Sequence, residues 1–276
     1  MNKYITKGTL ASVILLFAAL IYNYPLFILL INSLKDNNDY LMNPFGWPNP
    51  IVFENLMEAF IRINFLRTAF NTIIITIIVV AFLVVFSSMT AFAIVRRSSR
   101  FTKAVYILLM GGILIPFQVY MIPLVRLYSF LGILRTPTSL VLSLIAGGTS
   151  LSVFLFCSYL KTVPKELEEA ATIDGCNPYQ LFFMVIFPII KPCVTMVTIF
   201  FGLSTWNSFI QPLVLIGGGN FRMLFIEISL LMSRPFTMEW NLIFAACVLA
   251  MLPLLLLYVF LQDKIIGGLV AGSLKG

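Results

Sequence analysis

The chain contains no histidine, and charged residues make up only 11% of its 276 residues. It has no Gly-Lys dipeptide, so the lysine of a phosphate-binding P-loop is missing. Its four cysteines, Cys157, Cys176, Cys193 and Cys247, show no paired spacing, which argues against a disulfide framework or a zinc site. We therefore expect no catalytic residues, no metal site and no cofactor within this chain.

The chain is instead rich in hydrophobic residues. Hydrophobic residues make up 60% of it, whereas soluble globular proteins contain about 45–50% apolar and about 25% charged residues. Six stretches without a charge run for 22 to 30 residues, and about 20 apolar residues suffice to cross a bilayer as a helix. The sequence predicts an all-α, polytopic membrane protein with one transmembrane domain over residues 1–276 and six spans, at about 10–33, 68–95, 104–126, 137–160, 190–216 and 240–262.

The basic residues predict the orientation of these spans. With six spans, one side of the membrane carries 11 lysines and arginines and 5 acids, and the other carries 7 and 6. Basic residues are enriched on the cytoplasmic side of membrane proteins. We therefore expect both termini, residues 96–103 and the loop 161–188 to be cytoplasmic. The net charge of +7 is then explained by topology, and we expect no nucleic-acid partner.

The 161–188 loop is a polar segment in an otherwise apolar chain. Its first part is a predicted helix with Pro164 at its start and three acids in its early turns, where the helix dipole favours carboxylates: Glu166, Glu168 and Glu169. Small or apolar residues at spacings of three and four form one narrow face: Leu167, Ala170 and Ala171. A solvated connector would also be charged, but a face of small residues is typical of close packing.

A glycine and a capping motif separate this helix from the next one. Gly175 is suited to a left-handed conformation at a helix C-terminus. Asn177-Pro178 followed by Gln180 is typical of an N-cap, a first-turn proline and a capping-box partner. The loop is thus predicted to contain two short helices that meet at an angle.

The same loop resembles the signature of a known family. Glu169-Ala170-Ala171, then Gly175, then Val185-x-Phe187-Pro188 is similar to the pattern E-A-A-x-x-x-G-x9-I-x-L-P of permeases in binding-protein-dependent ABC importers. Val185 and Phe187 depart from the pattern, although both remain apolar. Through this resemblance we expect the loop to contact an ATPase subunit with Glu166, Leu167, Glu169, Ala170, Ala171, Asp174 and Gly175.

Other segments resemble the shorter, six-span subunit of maltose-type sugar permeases. They are Asn32–Lys35, Leu127–Thr136, Trp206-Asn207 and Gly267–Gly276. The resemblance implies a bacterial inner-membrane permease for oligosaccharides, which is not itself an enzyme. It implies a second permease subunit as heterodimer partner, two ATPase subunits that hold ATP and Mg, and an extracytoplasmic sugar-binding protein, all within membrane lipid.

Five polar or aromatic side chains are candidates for the substrate pathway. Gln118 and Tyr120 follow Pro116 in the third predicted span, and Trp206, Asn207 and Gln211 lie in the fifth. A flat apolar ring and amide donors suit a sugar, but amides within spans also join helices to one another. Both interpretations remain open at this stage.

Two alternative functions remain. An ABC permease for a non-sugar solute, such as a peptide or a metal chelate, would carry the same loop. A polytopic membrane enzyme would need a nucleophile with a base, or a pair of acids. The six uncharged stretches lack such groups, because the chain has no histidine and all of its acids fall outside these stretches.

Overall fold

The computed structural model describes residues 2–97, 99–217, 219–233 and 238–273; of these, the side chains of 2–11, 261 and 263–273 are not described. Arg234 and Lys275, which entered the charge balance, and residues 274–276 of the C-terminal resemblance lie outside this range. Every regular element in the described range is helical, which confirms the all-α prediction.

The described residues form fourteen α-helices and one π-helical segment, which follow one another along the chain. They are α1 Asn2–Ser33, α2 Asn37–Met42, α3 Glu54–Arg62, α4 Phe65–Arg96, α5 Arg100–Ile113, α6 Phe117–Phe130, α7 Pro137–Leu160, α8 Glu166–Ile173, α9 Pro178–Gln180, the π-helical segment Leu181–Ile186, α10 Phe187–Ile189, α11 Lys191–Trp206, α12 Ile210–Leu215, α13 Leu224–Leu231 and α14 Trp240–Ser273. The chain forms two compact units, one from Met1–Thr68 with Glu227–Leu256 and one from Ala69–Ile226 with Leu257–Gly276.

Four described helices are long and apolar enough to cross a membrane: Ser12–Ser33 of α1, α4, α7, and Trp240–Phe260 of α14. Two further candidates are bent pairs. Arg100–Ile113 and Phe117–Phe130 meet at 106°, and Pro178–Ile189 and Lys191–Trp206 meet at 75°. By length and composition, the described part of the chain therefore holds four candidate spans, or up to six if each bent pair is one span.

The two predicted spans that are not straight helices are broken at prolines. The predicted span 104–126 is interrupted between α5 and α6, where Pro116 has the extended conformation of an N-cap. The predicted span 190–216 divides into α11 and α12, and Pro212 lies within the latter. A proline ring clashes with the carbonyl four residues earlier, so a continuous helix could not pass through Gly112 and Pro116, or through Ser208 and Pro212, without strain.

The core of the second unit lies between α4, α7, the π-helical segment and α11. Leu83, Phe156, Ile186 and Val197 from these four elements are completely buried in one apolar cluster. Gly148 of α7 permits a close approach, because a Cβ atom there would lie 2.7 Å from Leu83 Cδ1 and 3.0 Å from Phe201 Cε1. Small residues at helix contacts allow this close packing in membrane proteins.

In the first unit, a buried amide fixes the end of α1. Asn55 of α3 donates hydrogen bonds to the carbonyls of Ser33 and Lys35, at 3.0 and 2.7 Å, and accepts one from Asn241 at 2.9 Å. The ammonium group of Lys35 is also buried and donates to the carbonyl of Asn43 at 2.6 Å. These bonds satisfy carbonyls that a helix leaves free at its C-terminus.

Candidate functional site

Helix α8 is a short surface helix whose outer face is exposed. Six of the seven loop residues expected to contact a partner are exposed: Glu166, Leu167, Glu169, Ala170, Asp174 and Gly175. Ile173, in its last turn, is 86% exposed, although a fully buried isoleucine gains about 1.5–3 kcal/mol over an exposed one. Exposed apolar surface of this kind is typical of a contact with another protein.

Ala171, the seventh of these residues, lies on the opposite face of α8. It is 8% exposed and therefore packs inside its own chain. The predicted apolar face is thus divided. Leu167 and Ala170 are exposed, whereas Ala171 is buried and packs α8 against the rest of the chain.

Gly175 ends α8 in the left-handed conformation that the sequence predicts, with φ at +85°. The amide of Cys176 donates to the carbonyl of Ala171 at 3.0 Å, and the amide of Gly175 donates to that of Thr172 at 3.1 Å. Together these two bonds form a Schellman motif. A Cβ atom at position 175 would meet nothing within 4 Å, so the preference for glycine comes from the backbone alone.

The second helix of the loop begins with the predicted capping box. The Asn177 side chain accepts hydrogen bonds from the amides of Tyr179 and Gln180, and the Gln180 side chain accepts one from the amide of Asn177. Pro178 stands at the first helical position. The angle between the two short helices is therefore fixed by local chemistry on both sides of Gly175.

An ion pair joins α8 to the end of the long helix α4. A guanidinium nitrogen of Arg96 lies 2.5 Å from a carboxylate oxygen of Glu168, and the two side chains are only 12% and 13% exposed. The same guanidinium donates to the carbonyl of Val163 at 3.0 Å. This ion pair is shielded from water and supported by a further hydrogen bond, and it joins α8 to the end of α4.

An aromatic contact supports this link. The rings of Phe92 of α4 and Phe182 of the π-helical segment lie 5.6 Å apart, and Phe182 is buried. Aromatic pairs at such distances add to the energy of burial. The loop is thus attached to α4 by both polar and apolar contacts.

A second group of candidates lies in the middle of α7. Gly147 stands near the centre of this 24-residue helix. A Cβ atom there would lie 3.7 Å from the Tyr120 hydroxyl and 3.8 Å from the Gln211 amide nitrogen. Neither polar group has a hydrogen-bond partner among the described residues. A phenol and an amide therefore both lie close to one glycine, at about half the length of a membrane-spanning helix.

The structure does not bring the other pathway candidates to this position. Gln118 is exposed, and Trp206 is buried with no acceptor for its indole N–H among the described residues. The Asn207 amide donates to the Leu203 carbonyl at 2.9 Å, which places it at the end of its own helix. Of the five candidates, Tyr120 and Gln211 are the pair that converges.

Sequence reasoning missed four residues of these two sites. Glu168 was grouped only with the acids of a helix N-terminus, and Arg96 only with the basic residues that set orientation. The exposed end of α8 at Ile173 was not singled out, and Gly147 was not among the pathway candidates. The i, i+4 spacing of Glu169 and Ile173, both exposed, is a signal that could have extended the predicted surface.

The fold and the loop define a polytopic helical membrane protein with an anchored, protruding surface helix. The chain belongs to the family described as binding-protein-dependent transport system inner membrane component, whose model matches residues 65–268. This match confirms the prediction of a multi-pass permease that was made from the loop.

Several curated relatives are similar over nearly their whole length. The probable starch degradation products transport system permease AmyC of Thermoanaerobacterium thermosulfurigenes is 32% identical, with 93% of each chain covered. The arabinooligosaccharides transport system permease AraQ of Halalkalibacterium halodurans is 30% identical, with 94% of each covered. The melibiose/raffinose/stachyose import permease MelC of Bacillus subtilis is 32% identical, with 91% of each covered.

A solved structure has the same fold. It is described as a bacterial ABC transporter involved in the import of the acidic polysaccharide alginate, and one of its chains matches with a TM-score of 0.74 and 21% identity, over 95% of this chain and 98% of that one.

Proposed function

We propose that this chain is the transmembrane permease subunit of an ATP-driven importer of oligosaccharides. The observation that carries the proposal is an exposed helix, α8, that is fixed to a membrane-spanning helix by Arg96–Glu168. Three relatives named for starch products, arabinooligosaccharides and the melibiose group support the substrate class. The proposed partners are a second permease subunit, an extracytoplasmic sugar-binding protein and two ATPase subunits that hold ATP and Mg, so that this chain needs no cofactor and is not an enzyme.

In this proposal α8 docks in a cleft of an ATPase subunit. Ile173 and Leu167 would provide the apolar contact, Ala170 would allow close approach, and Glu166, Glu169 and Asp174 would provide polar contacts around it. Gly175 and Ala171 act differently, since they fix the direction of the helix from within. When the ATPase closes, the displacement of α8 is passed through Arg96 to α4 as well as along the chain to α11.

Tyr120 and Gln211 are proposed as a point of contact for the sugar beside Gly147. Sugar hydroxyl groups both donate and accept hydrogen bonds, and a phenol and a side-chain amide can each do the same. Transporter binding sites generally lie near the bilayer midplane. Three other residues remain pathway candidates only through their residue types: Gln118, Trp206 and Asn207. Tyr120 and Gln211 are the stronger pair, because both lie near the middle of α7 and neither has a hydrogen-bond partner among the described residues.

The loop 161–188 and both termini are proposed to be cytoplasmic. The excess of basic residues on that side supports the assignment, and an ATPase partner for α8 requires it. Neighbouring basic residues at the ends of α4, α5 and α7 are consistent with it: Arg96, Arg97, Arg100, Lys103 and Lys161.

Deletion of the gene tests the substrate class. Uptake of labelled maltooligosaccharides, arabinooligosaccharides and raffinose would be measured in the deletion strain and in a strain complemented in trans. At least one oligosaccharide should enter only in the complemented strain, while uptake of amino acids and peptides is equal in both. A strain that loses only peptide or metal-chelate uptake would establish the non-sugar alternative.

A further inference from the structure

A cleft of about 430 Å³ opens where the ends of three helices meet, the C-terminal ends of α4 and α7 and the N-terminal half of α5. Its walls are mainly apolar and include Ile94, Val95 and Ile107. On the same helix α5, Phe101 and Leu108 are 76% and 75% exposed. The cleft therefore opens beside a surface that is suited to hydrocarbon rather than water.

Two lysines stand at the rim of this apolar cleft. Lys103 of α5 and Lys161 at the end of α7 both line it, together with Tyr106. The ammonium group of Lys161 lies 5.7 Å from the centre of the Tyr106 ring, which keeps it over the cleft. Within the described side chains neither lysine forms an ion pair, and Glu168, the acid on the adjoining loop, is already bound to Arg96.

We propose that this cleft binds one anionic phospholipid, with the phosphate between Lys103 and Lys161 and an acyl chain along the wall of Ile94, Val95 and Ile107. The combination of positive charge and adjacent apolar surface matches both ends of such a molecule. Basic pockets between transmembrane helices on the cytoplasmic side bind acidic lipid headgroups. The leaflet rests on the orientation given under Proposed function, whereas the lipid class rests on the charges and the cleft.

The site adjoins the link between α4 and α8. Ile94 and Val95 of the cleft immediately precede Arg96, which holds Glu168. A bound lipid would therefore hold the end of α4 against α5 and α7 at the point where α8 is attached. Binding of an anionic lipid is accordingly expected to raise the thermal stability of the chain.

The test uses the full chain, purified from membranes in a neutral detergent. Retention of 1-palmitoyl-2-oleoyl-phosphatidylglycerol would be titrated by native mass spectrometry, with the phosphatidylcholine of the same acyl chains as the zwitterionic probe. K103Q/K161Q should weaken phosphatidylglycerol binding by about 30-fold, and K103Q alone by about fivefold. Phosphatidylcholine binding should change little, and K103R/K161R should retain most of the affinity.

A matched control removes two charges elsewhere on the same proposed side. Lys165 and Lys191 are exposed and do not line the cleft, so K165Q/K191Q should bind phosphatidylglycerol like the unmodified chain. Lys103 is exposed, so K103Q alone should fold normally. This single variant tests the proposal even if the double variant does not fold.

Unchanged phosphatidylglycerol binding in K103Q and K103Q/K161Q would overturn the proposal, as would an equal loss in the control. If those variants kept the lipid but no longer retained a second permease chain, the cleft would be a subunit contact instead. Lipid binding is measured without any transported solute, so a failure of the sugar assignment would leave this result unaffected and distinguishable.

Discussion

Arg96 of α4 and Glu168 of α8 are 72 positions apart in sequence and form a 2.5 Å ion pair. Both side chains are largely shielded from water. In the proposed coupling, this pair makes α4 part of the path from the loop helix α8 to the membrane domain. Removing either partner leaves a shielded charge without compensation, which is more harmful than removing both.

The first prediction is therefore a double-mutant cycle at this pair. R96Q and E168Q should each lower thermal stability and transport, and R96Q/E168Q should be less impaired than the sum of the two. Contacting residues show coupling of about 0.5–3 kcal/mol. The measurement is the thermal unfolding of the purified variants together with substrate uptake. Additive effects would mean that the ion pair does not operate as a unit.

The second prediction concerns the angle set by Gly175. Gly175→Val forces a β-branched residue into a left-handed conformation, at a cost of at least about 1–2 kcal/mol, although the side chain itself meets no neighbour. We expect near-normal membrane insertion but weaker retention of the ATPase in pull-downs.

Two variants serve as comparisons for Gly175→Val. Gly175→Asn should be much milder, since asparagine tolerates this conformation. Lys191→Gln, an exposed residue outside the proposed docking face, should have no effect. If the valine and asparagine variants retain the ATPase equally well, the angle of the loop is not what the partner recognises.

The third prediction distinguishes two adjacent glycines. Gly148→Ala would place a Cβ atom within 2.7 Å of Leu83 and should destabilise the chain by about 1–3 kcal/mol through overpacking. Gly147→Ala makes only ordinary contacts of 3.7 and 3.8 Å and should fold normally, while Gly147→Leu should fill the space between Tyr120 and Gln211 and reduce uptake.

Thermal unfolding and uptake of the three glycine variants should separate these roles. Low stability is expected for the change at 148, and low transport in a stable protein for Gly147→Leu. Full uptake by the leucine variant would remove Gly147, Tyr120 and Gln211 from the proposed pathway.

The fourth prediction concerns orientation. In a variant with all four cysteines replaced by alanine, single cysteines would be placed at Asn49 and Thr162, both of which are exposed. An impermeant thiol reagent added to whole cells should label position 49 only, and position 162 only after the cells are opened. Labelling of position 162 from outside would reverse the topology and with it the leaflet of the proposed lipid.

Local chemistry made much of the loop predictable from sequence. A left-handed glycine and a capping box depend on residues a few positions apart, and both are present at Gly175 and Asn177. Long uncharged runs also predicted the four long apolar helices, because a charge is costly in hydrocarbon. The sequence alone did not show that helices would be interrupted near Pro116 and Pro212.

Contacts between distant segments could not be predicted in this way. The partner of Glu168 lies on another helix, and one sequence contains nothing that selects Arg96 over Arg97 or Arg100. The convergence of Tyr120 and Gln211 at Gly147 likewise depends on how α6, α7 and α12 pack. Composition identified suitable side chains, and packing decided which of them meet.

The most direct test of the account is ATP hydrolysis in proteoliposomes. The purified chain alone should hydrolyse no ATP, since it has no Gly-Lys pair to form a P-loop. Hydrolysis stimulated by an oligosaccharide-loaded binding protein should appear when the second permease and the ATPases are added, and it should be lost or uncoupled from uptake with Gly175→Val. ATP turnover by the isolated chain, or sugar movement without the ATPases, would contradict the account.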